Sequence, residues 1–228
     1  MKKRLLAFSL ALAFAGTSSI VQAEGNINAG KEKAAACTAC HGENGNSMVG
    51  TFPKLAQQHA SYLQKQLQAF KDGSRNNPIM SPMAMALSAE DMVDISAYYA
   101  AQKVSANTLP VLDADEDKKP AAAEAGKTTK AEDPMQKLLA QGSDLYRNGD
   151  LGREVSACIA CHGPSGEGNK PAAFPALKSQ HADYLIKALM DFKSGARSNN
   201  PDNMMHMIAK KMTDEEIKAV AYRISMMK

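Results

Sequence analysis

The pentapeptide CTACH at residues 37–41 returns as CIACH at residues 158–162, and these two copies contain all 4 cysteines of the chain. Two thiols three residues apart lie on one face of a helical turn, where both can form thioether bonds to the vinyl groups of one haem. The histidine that follows can then supply an axial nitrogen to the iron. A redox pair, half of a zinc site or a disulfide are the alternatives for one copy. Two complete copies favour haem attachment.

This interpretation predicts two covalently bound haem c groups, one for each motif. The predicted thioether sites are Cys37, Cys40, Cys158 and Cys161, and the predicted axial histidines are His41 and His162. A haem iron that holds one histidine needs a sixth ligand or keeps an open, reactive position. The identity of that ligand therefore decides between an electron carrier and a catalyst.

Methionine is the predicted sixth ligand in both copies. Met80 lies eight residues before Ser88, and Met205 lies eight residues before Thr213, at the predicted start of the last helix of each copy. The neighbouring methionines of either copy have no methionine at the matching offset, and we expect them to pack around the haem. Met80 and Met205 are therefore the predicted axial ligands.

Three further histidines compete with methionine for this role: His59, His181 and His206. His59 and His181 occupy equivalent places at the start of a predicted helix, whereas His206 corresponds to Ser81 in the other copy. Helix-start or surface positions are the favoured interpretation, and bis-histidine ligation is the alternative.

Residues 1–23 are predicted to be a cleaved signal peptide. A basic segment at residues 2–4 precedes an apolar segment at residues 5–15 that is too short to span a bilayer, and the small residues of Val21-Gln22-Ala23 form a cleavage site. Export fits the haem motifs, because c-type haem is attached outside the cytoplasm in bacteria. The periplasm is therefore the expected location.

The net charge of +3 comes entirely from this leader, because the mature chain has 24 basic and 24 acidic residues. Charge thus gives no reason to expect nucleic acid or an anionic membrane as a partner. The mature chain also has no apolar run long enough to span a membrane, although peripheral association is left open.

An internal duplication divides the mature chain into two domains. FPKL at residues 52–55 matches FPAL at residues 174–177, and the same shift of 122 positions pairs Arg75 with Arg197 and Tyr62 with Tyr184. The predicted domains are residues 24–103 and 134–228. Residues 104–133, with 7 acidic residues and 4 lysines, are predicted to be a charged, mobile linker.

Each domain is predicted to be all-α. Apolar residues recur at helical spacing over residues 58–71 and 180–193, and Gly73 and Gly195 follow as C-caps. Ser88 with Asp91, and Thr213 with Glu216, form capping boxes at the start of the last helices. The sequence therefore predicts an all-α chain of two tandem domains joined by a charged linker, after a cleaved signal peptide.

Together these features resemble the dihaem cytochrome c4 family. The resemblance rests on the two CxxCH motifs, the two Phe-Pro-x-Leu turns, the Arg/Asn/Pro stretches at residues 75–78 and 197–201, and a methionine ahead of each capped helix. It implies two tandem, all-helical class I cytochrome c domains related by approximate two-fold symmetry, with the haem propionate edges facing each other. It also implies that the carbonyls of Pro53 and Pro175 accept hydrogen bonds from the axial histidines.

The resemblance further implies a periplasmic one-electron carrier rather than an enzyme. Its expected donor is a cytochrome bc complex or similar protein, and its expected acceptor is a haem–copper terminal oxidase. The alternatives are a peroxidase-like dihaem enzyme, which needs an iron with a vacant position, and a dedicated cytochrome subunit of a periplasmic dehydrogenase.

Two features depart from the family pattern. The linker is longer and more charged than the family suggests, which argues against a fixed haem–haem interface. The second domain also carries an insertion at residues 147–155, where Arg147 and Arg153 could meet an acidic partner but a solvated loop is the favoured interpretation.

Overall fold

The computed structural model describes residues 25–108 and 133–228, and the predicted leader and residues 109–132 of the predicted linker lie outside that part. The described residues form helices and turns without a named strand. The helices of the first domain are α1 (Ile27–Lys33), α2 (Thr38–His41), α3 (Ala60–Asp72), α4 (Met80–Met85) and α5 (Ala89–Ala100). Those of the second domain are α6 (Pro134–Asn148), α7 (Ile159–His162), α8 (Ala182–Ser194), α9 (Met204–Ala209) and α10 (Asp214–Ser225).

The helices begin and end where local side chains satisfy the free backbone groups. The Ser88 and Thr213 hydroxyls accept from the backbone N–H groups three residues ahead. The Asp91 and Glu216 carboxylates in turn accept from the backbone N–H groups of Ser88 and Thr213. Both predicted capping boxes are therefore confirmed. α3 and α8 end at Gly73 and Gly195, each with a positive φ of about 80°. Both predicted C-caps are therefore confirmed.

In each domain the first helix crosses the last at a glycine. A Cβ atom at Gly30 of α1 would lie 2.0 Å from the Asp94 carbonyl oxygen of α5, and one at Gly142 of α6 would lie 2.1 Å from the Ala219 carbonyl oxygen of α10. These distances are too short for any side chain. The absence of a Cβ therefore allows the two terminal helices of each domain to pack at backbone contact.

The last helix of each domain buries one apolar face in the core. This face consists of Met92, Ile95 and Tyr99 in α5 and of Ile217, Val220 and Ile224 in α10, all of them 4% exposed or less. Tyr62 of α3 and Tyr184 of α8 behave differently, because each hydroxyl bonds to an arginine of the other domain rather than entering its own core. The helical spacing predicted the core face correctly but did not reveal this contact.

The insertion at residues 147–155 folds onto its own domain. α6 continues to Asn148, and a short bridge joins Asp150 to Val155. The Arg153 guanidinium pairs with Asp150 and with Glu216 of α10. Arg153 thus pairs with two carboxylates of its own domain, and a contact of Arg147 or Arg153 with an acidic partner stays a prediction.

Residues 104–108, at the start of the predicted linker, contact both domains. Lys54 of the first domain donates to the Ser105 carbonyl and to the Asn107 side-chain oxygen, both at 2.7 Å. The Asn107 amide in turn donates to the Ser179, Gln180 and Ser225 carbonyls of the second domain, at 3.0 Å. This part of the chain therefore fastens the two domains together. Within the described residues, no helix is long and apolar enough to cross a membrane.

Candidate haem sites

Each CxxCH motif forms one short helical turn. In the first domain a 3₁₀ turn over Ala34–Cys37 leads into α2, whose last residue is His41. In the second domain Cys158 is the N-cap of α7, which ends at His162. A glycine with a φ of 78° follows each histidine and turns the chain sharply away. The motif therefore presents two thiols and one imidazole from a single compact turn, as the sequence predicts.

The two histidines have the geometry of metal ligands. His41 Nδ1 lies 2.8 Å from the Pro53 carbonyl oxygen, and His162 Nδ1 lies 3.0 Å from the Pro175 carbonyl oxygen, which confirms the bond implied by the family resemblance. A carbonyl can only accept, so Nδ1 carries the proton and the Nε2 lone pair is available to an iron. Burial lowers the pKa of both imidazoles, which keeps them in the neutral form that binds metal.

The cysteines fit haem attachment better than the alternatives. All four thiols are free of disulfides. Burial raises the pKa of Cys158 to about 11 and also raises that of Cys37, whereas a redox CxxC pair relies on a lowered thiol pKa. The described residues also contain no group of three or more His, Cys, Asp or Glu that could hold a metal ion such as zinc. Partly buried thiols without a disulfide, beside a histidine, fit attachment of a haem through thioether bonds.

Met80 and Met205 occupy matching places in the two domains. Met80 begins α4 and Met205 is the second residue of α9. The Met80 amide donates to the Asn77 side chain at 2.8 Å, and the Met205 amide donates to the Asn200 side chain at 2.9 Å. An asparagine thus fixes the backbone of the corresponding methionine in each copy.

The competing residues lack this correspondence. Met83, Met85 and Met207 are 41%, 67% and 47% exposed. Met204 is half-buried, but its amide donates to the Pro201 carbonyl instead of an asparagine side chain. These differences favour the pair Met80 and Met205 as axial ligands.

Two of the other three histidines stand at helix starts, as the sequence favours. His59 and His181 are the N-cap residues of α3 and α8. The His181 ring nitrogen Nε2 lies 2.9 Å from the Ser47 carbonyl oxygen of the first domain. His206 Nδ1 lies 2.7 Å from the Phe192 carbonyl oxygen of its own domain. His181 and His206 are therefore engaged with backbone groups.

A polar interface between the domains is the part of the site that sequence reasoning missed. The Arg75 guanidinium bonds to Tyr184 at 3.3 Å and to Gln66 at 2.7 Å, while that of Arg197 bonds to Tyr62 at 3.0 Å and to Gln66 at 2.9 Å. Each guanidinium also stacks within 4.5 Å of the ring centre of a phenylalanine in its own domain. The shift of 122 positions pairs these arginines and tyrosines in the sequence, but it does not show that the pairs cross between domains.

Fold and sites together define a protein with two tandem class I cytochrome c domains, each built to hold one c-type haem. The cytochrome c family model matches residues 27–103 and 139–226. Cytochrome c4 of Azotobacter vinelandii is 38% identical over 231 residues, covering 97% of each chain. The crystal structure of reduced recombinant cytochrome c4 from Pseudomonas stutzeri superposes with a TM-score of 0.76 at 36% identity, covering 90% of this chain and 100% of that one.

The chain therefore belongs to the cytochrome c4 family of dihaem electron-transfer proteins, and it carries two covalently bound haem c groups. It is also similar to the thiosulfate dehydrogenase electron acceptor of Stutzerimonas stutzeri, at 39% identity over 189 residues, covering 82% of this chain and 77% of the relative.

Proposed function

We propose that the protein is a periplasmic one-electron carrier in which His41 and Met80 hold one iron, and His162 and Met205 hold the other. Each haem, when bound, supplies an iron that changes by one electron with little change in structure. A thioether ligand favours the ferrous state and raises the reduction potential relative to bis-histidine ligation. With both axial positions filled, neither site has room for oxygen or peroxide to bind.

The observation that carries this proposal is the matched frame around the two sites. In both domains a buried histidine is held through Nδ1 by a proline carbonyl, and a methionine is held through its amide by an asparagine side chain. A catalyst needs one iron with a vacant axial position or a displaceable ligand, so its two sites would differ in the residues that hold the histidine or the methionine. Equal, closed sites fit two successive electron-transfer centres.

The interface offers a place for the negatively charged edges of the two haems. Arg197 is only 7% exposed, and among the described residues neither Arg75 nor Arg197 pairs with a carboxylate. Buried guanidinium groups favour anionic partners, and the propionates of a haem are such anions. Arg75 and Arg197 are thus suited to hold the two haem edges close together, so that electrons pass between the domains.

The proposed partners follow from the family resemblance and the leader. A cytochrome bc complex or similar donor reduces the protein in the periplasm, and a haem–copper terminal oxidase accepts its electrons. Encounters of a diffusing carrier with such partners are expected to be weak and sensitive to salt.

Replacing the methionines one at a time tests the ligand assignment. Met80→Ala and Met205→Ala should each open one iron, so that after reduction with dithionite half of the haem forms a carbon monoxide adduct. Met83→Ala is the matched control, because Met83 lies on the same short helix and is exposed. An adduct in Met83→Ala, but not in Met80→Ala, would show that the assignment is wrong.

A second candidate is a dedicated cytochrome subunit of a periplasmic dehydrogenase, and the similarity to the thiosulfate dehydrogenase electron acceptor supports it. Such a subunit binds its enzyme tightly and does not shuttle. Purification of the tagged protein from its native periplasm, washed at low and at high salt, separates the two. Retention of a dehydrogenase through the high-salt wash favours the subunit, and loss of all redox partners favours the carrier.

A further inference from the structure

The turn that holds each axial histidine is itself held by a glutamine of the other domain. Gln180 of the second domain accepts from the Lys54 backbone N–H and donates to the Lys54 carbonyl, both at 2.9 Å. Gln58 of the first domain accepts from the Ala176 backbone N–H at 2.9 Å and donates to the Ala176 carbonyl at 2.8 Å. The two contacts are reciprocal. Each glutamine amide bonds to both the N–H and the carbonyl of one residue, as a neighbouring backbone would in a β-sheet.

Both glutamines are fixed in place. Gln58 and Gln180 are 7% and 6% exposed. Each side-chain oxygen also accepts from the next backbone N–H, that of His59 or His181, at 3.0 Å. His59 and His181 are the N-cap residues of α3 and α8, so each glutamine amide projects from the start of a helix into the other domain.

One peptide group joins the glutamine to the histidine. The Pro53 carbonyl, which accepts from His41, and the Lys54 N–H, which donates to Gln180, belong to the same peptide unit. The Pro175 carbonyl and the Ala176 N–H join His162 to Gln58 in the same way. Hydrogen bonds in such a chain polarise one another, so a bonded N–H makes its carbonyl a stronger acceptor.

A stronger acceptor at Nδ1 makes the imidazole a more basic ligand. A more basic ligand stabilises ferric iron and lowers the reduction potential. We propose that Gln180 and Gln58 are positioning residues that act across the interface, so that each domain sets the reduction potential of the haem in the other. This inference rests on the proposed function, because it takes His41 and His162 as the axial ligands.

The test is a spectroelectrochemical titration of the haem-loaded full chain with Gln180→Met and, separately, Gln58→Met. Methionine keeps much of the glutamine volume but offers no comparable hydrogen bonds. Gln180→Met should raise the potential of the first-domain haem and leave the second nearly unchanged, and Gln58→Met should do the reverse. We expect about a tenfold change in the one-electron equilibrium constant, which is about 59 mV. Because the proposal is reciprocal, either variant decides it if the other does not accumulate.

Ser61→Ala is the matched control. The Ser61 hydroxyl donates to the Lys170 carbonyl across the same interface at 3.1 Å but does not touch either histidine-holding turn. It should leave both potentials unchanged. Equal shifts of both haems in either glutamine variant, or a shift confined to the haem of the mutated domain, would overturn the proposal.

The wave that moves to lower potential in Met80→Ala identifies the first-domain haem in these titrations. If Met80→Ala moves neither wave, the ligand assignment of the proposed function fails. If it moves one wave but the glutamine variants do not shift the haem of the opposite domain, only the proposal about the glutamines fails.

Discussion

The two domains share the frame around the haem but differ at the face where they meet. Both hold a histidine by a proline carbonyl and a methionine by an asparagine. At the interface, however, Lys54 corresponds to Ala176, and Gln66, which accepts from both interface arginines, corresponds to Ala188. The residues around each iron are thus repeated, and so are interface residues such as Arg75 and Arg197, whereas Lys54 and Gln66 have no like counterpart and make the surroundings of the two haems unequal.

The largest effect is expected from the glycine at which the first and last helices of each domain cross, and it shows whether the two domains depend equally on this contact. Gly30→Ala places a methyl group 2.0 Å from the Asp94 carbonyl oxygen, and Gly142→Ala places one 2.1 Å from that of Ala219. Each substitution should destabilise its own domain by about 3 kcal/mol, because backbone atoms have to move apart. Denaturant unfolding followed through the haem absorption measures this. Unchanged midpoints in both variants would contradict the packing described here.

The next effect concerns Lys54, the buried cation of the first domain that has an alanine as its counterpart in the second. Lys54 is 5% exposed, and among the described residues its ammonium group bonds to uncharged acceptors, the Ser105 carbonyl and the Asn107 side chain. A buried positive charge next to the turn that holds His41 should favour ferrous iron there. Lys54→Met should therefore lower the potential of the first-domain haem by about 60 mV, a tenfold change in equilibrium constant, as measured by redox titration.

Asn107→Ala is the control for this change, because it loosens the same contact between the domains and keeps the charge. It should shift the first-domain potential much less than Lys54→Met does. Equal shifts in the two variants would mean that the packing of the interface, and not the charge of Lys54, sets the difference.

A smaller effect should appear only in the second domain. The Arg153 hydrogen bond lowers the pKa of Glu216, so the pair stabilises the fold above the unfolded carboxyl pKa of about 4.5 and loses this contribution as pH falls through the lower, folded value. Arg153→Ala should reduce the melting temperature of this domain by a few degrees at pH 7 and by less at pH 3. Thermal unfolding at the two pH values measures the difference.

Lys211→Ala is the comparison for Arg153→Ala. The Lys211 partner, Glu154, is 80% exposed at its side chain, so this ion pair is worth little. A loss of stability as large as that in Arg153→Ala, or a loss in Arg153→Ala that does not depend on pH, would contradict the role given to Glu216.

The smallest effect should be the same in both domains. Ser88→Ala and Thr213→Ala each remove the hydroxyl that accepts from the backbone N–H three residues ahead. Loss of such a cap costs about 1 kcal/mol of unfolding free energy. Chemical denaturation of the two variants should give similar values, and a cost in only one domain would show that the caps are not equivalent.

The sequence alone predicts the features that depend on neighbouring residues. The capping boxes at Ser88 and Thr213, the glycine C-caps and the buried stripes of the last helices all follow from spacings of a few residues. The CxxCH turns belong to this group as well, since the thiols and the imidazole come from five consecutive residues. The chemistry of the CxxCH turns can therefore be predicted from the sequence without the three-dimensional structure.

The interface could not be predicted in this way. Gln58 and Gln180 contact backbone groups 118 and 126 residues away, and only the packed domains bring these groups together. A tyrosine that faces its own core and one that faces the other domain fit the same helical spacing, so periodicity placed Tyr62 and Tyr184 in the core. The shift of 122 positions paired Tyr62 with Tyr184 and Arg75 with Arg197, but a pairing by symmetry does not show which residues touch.

The most direct test of the central claim is the addition of carbon monoxide to the dithionite-reduced, haem-loaded protein. If His41 with Met80, and His162 with Met205, fill both axial positions of each iron, the absorption spectrum should stay unchanged. Rapid formation of an adduct at either haem would contradict the account, because it would reveal an open iron and make that domain a candidate catalytic site.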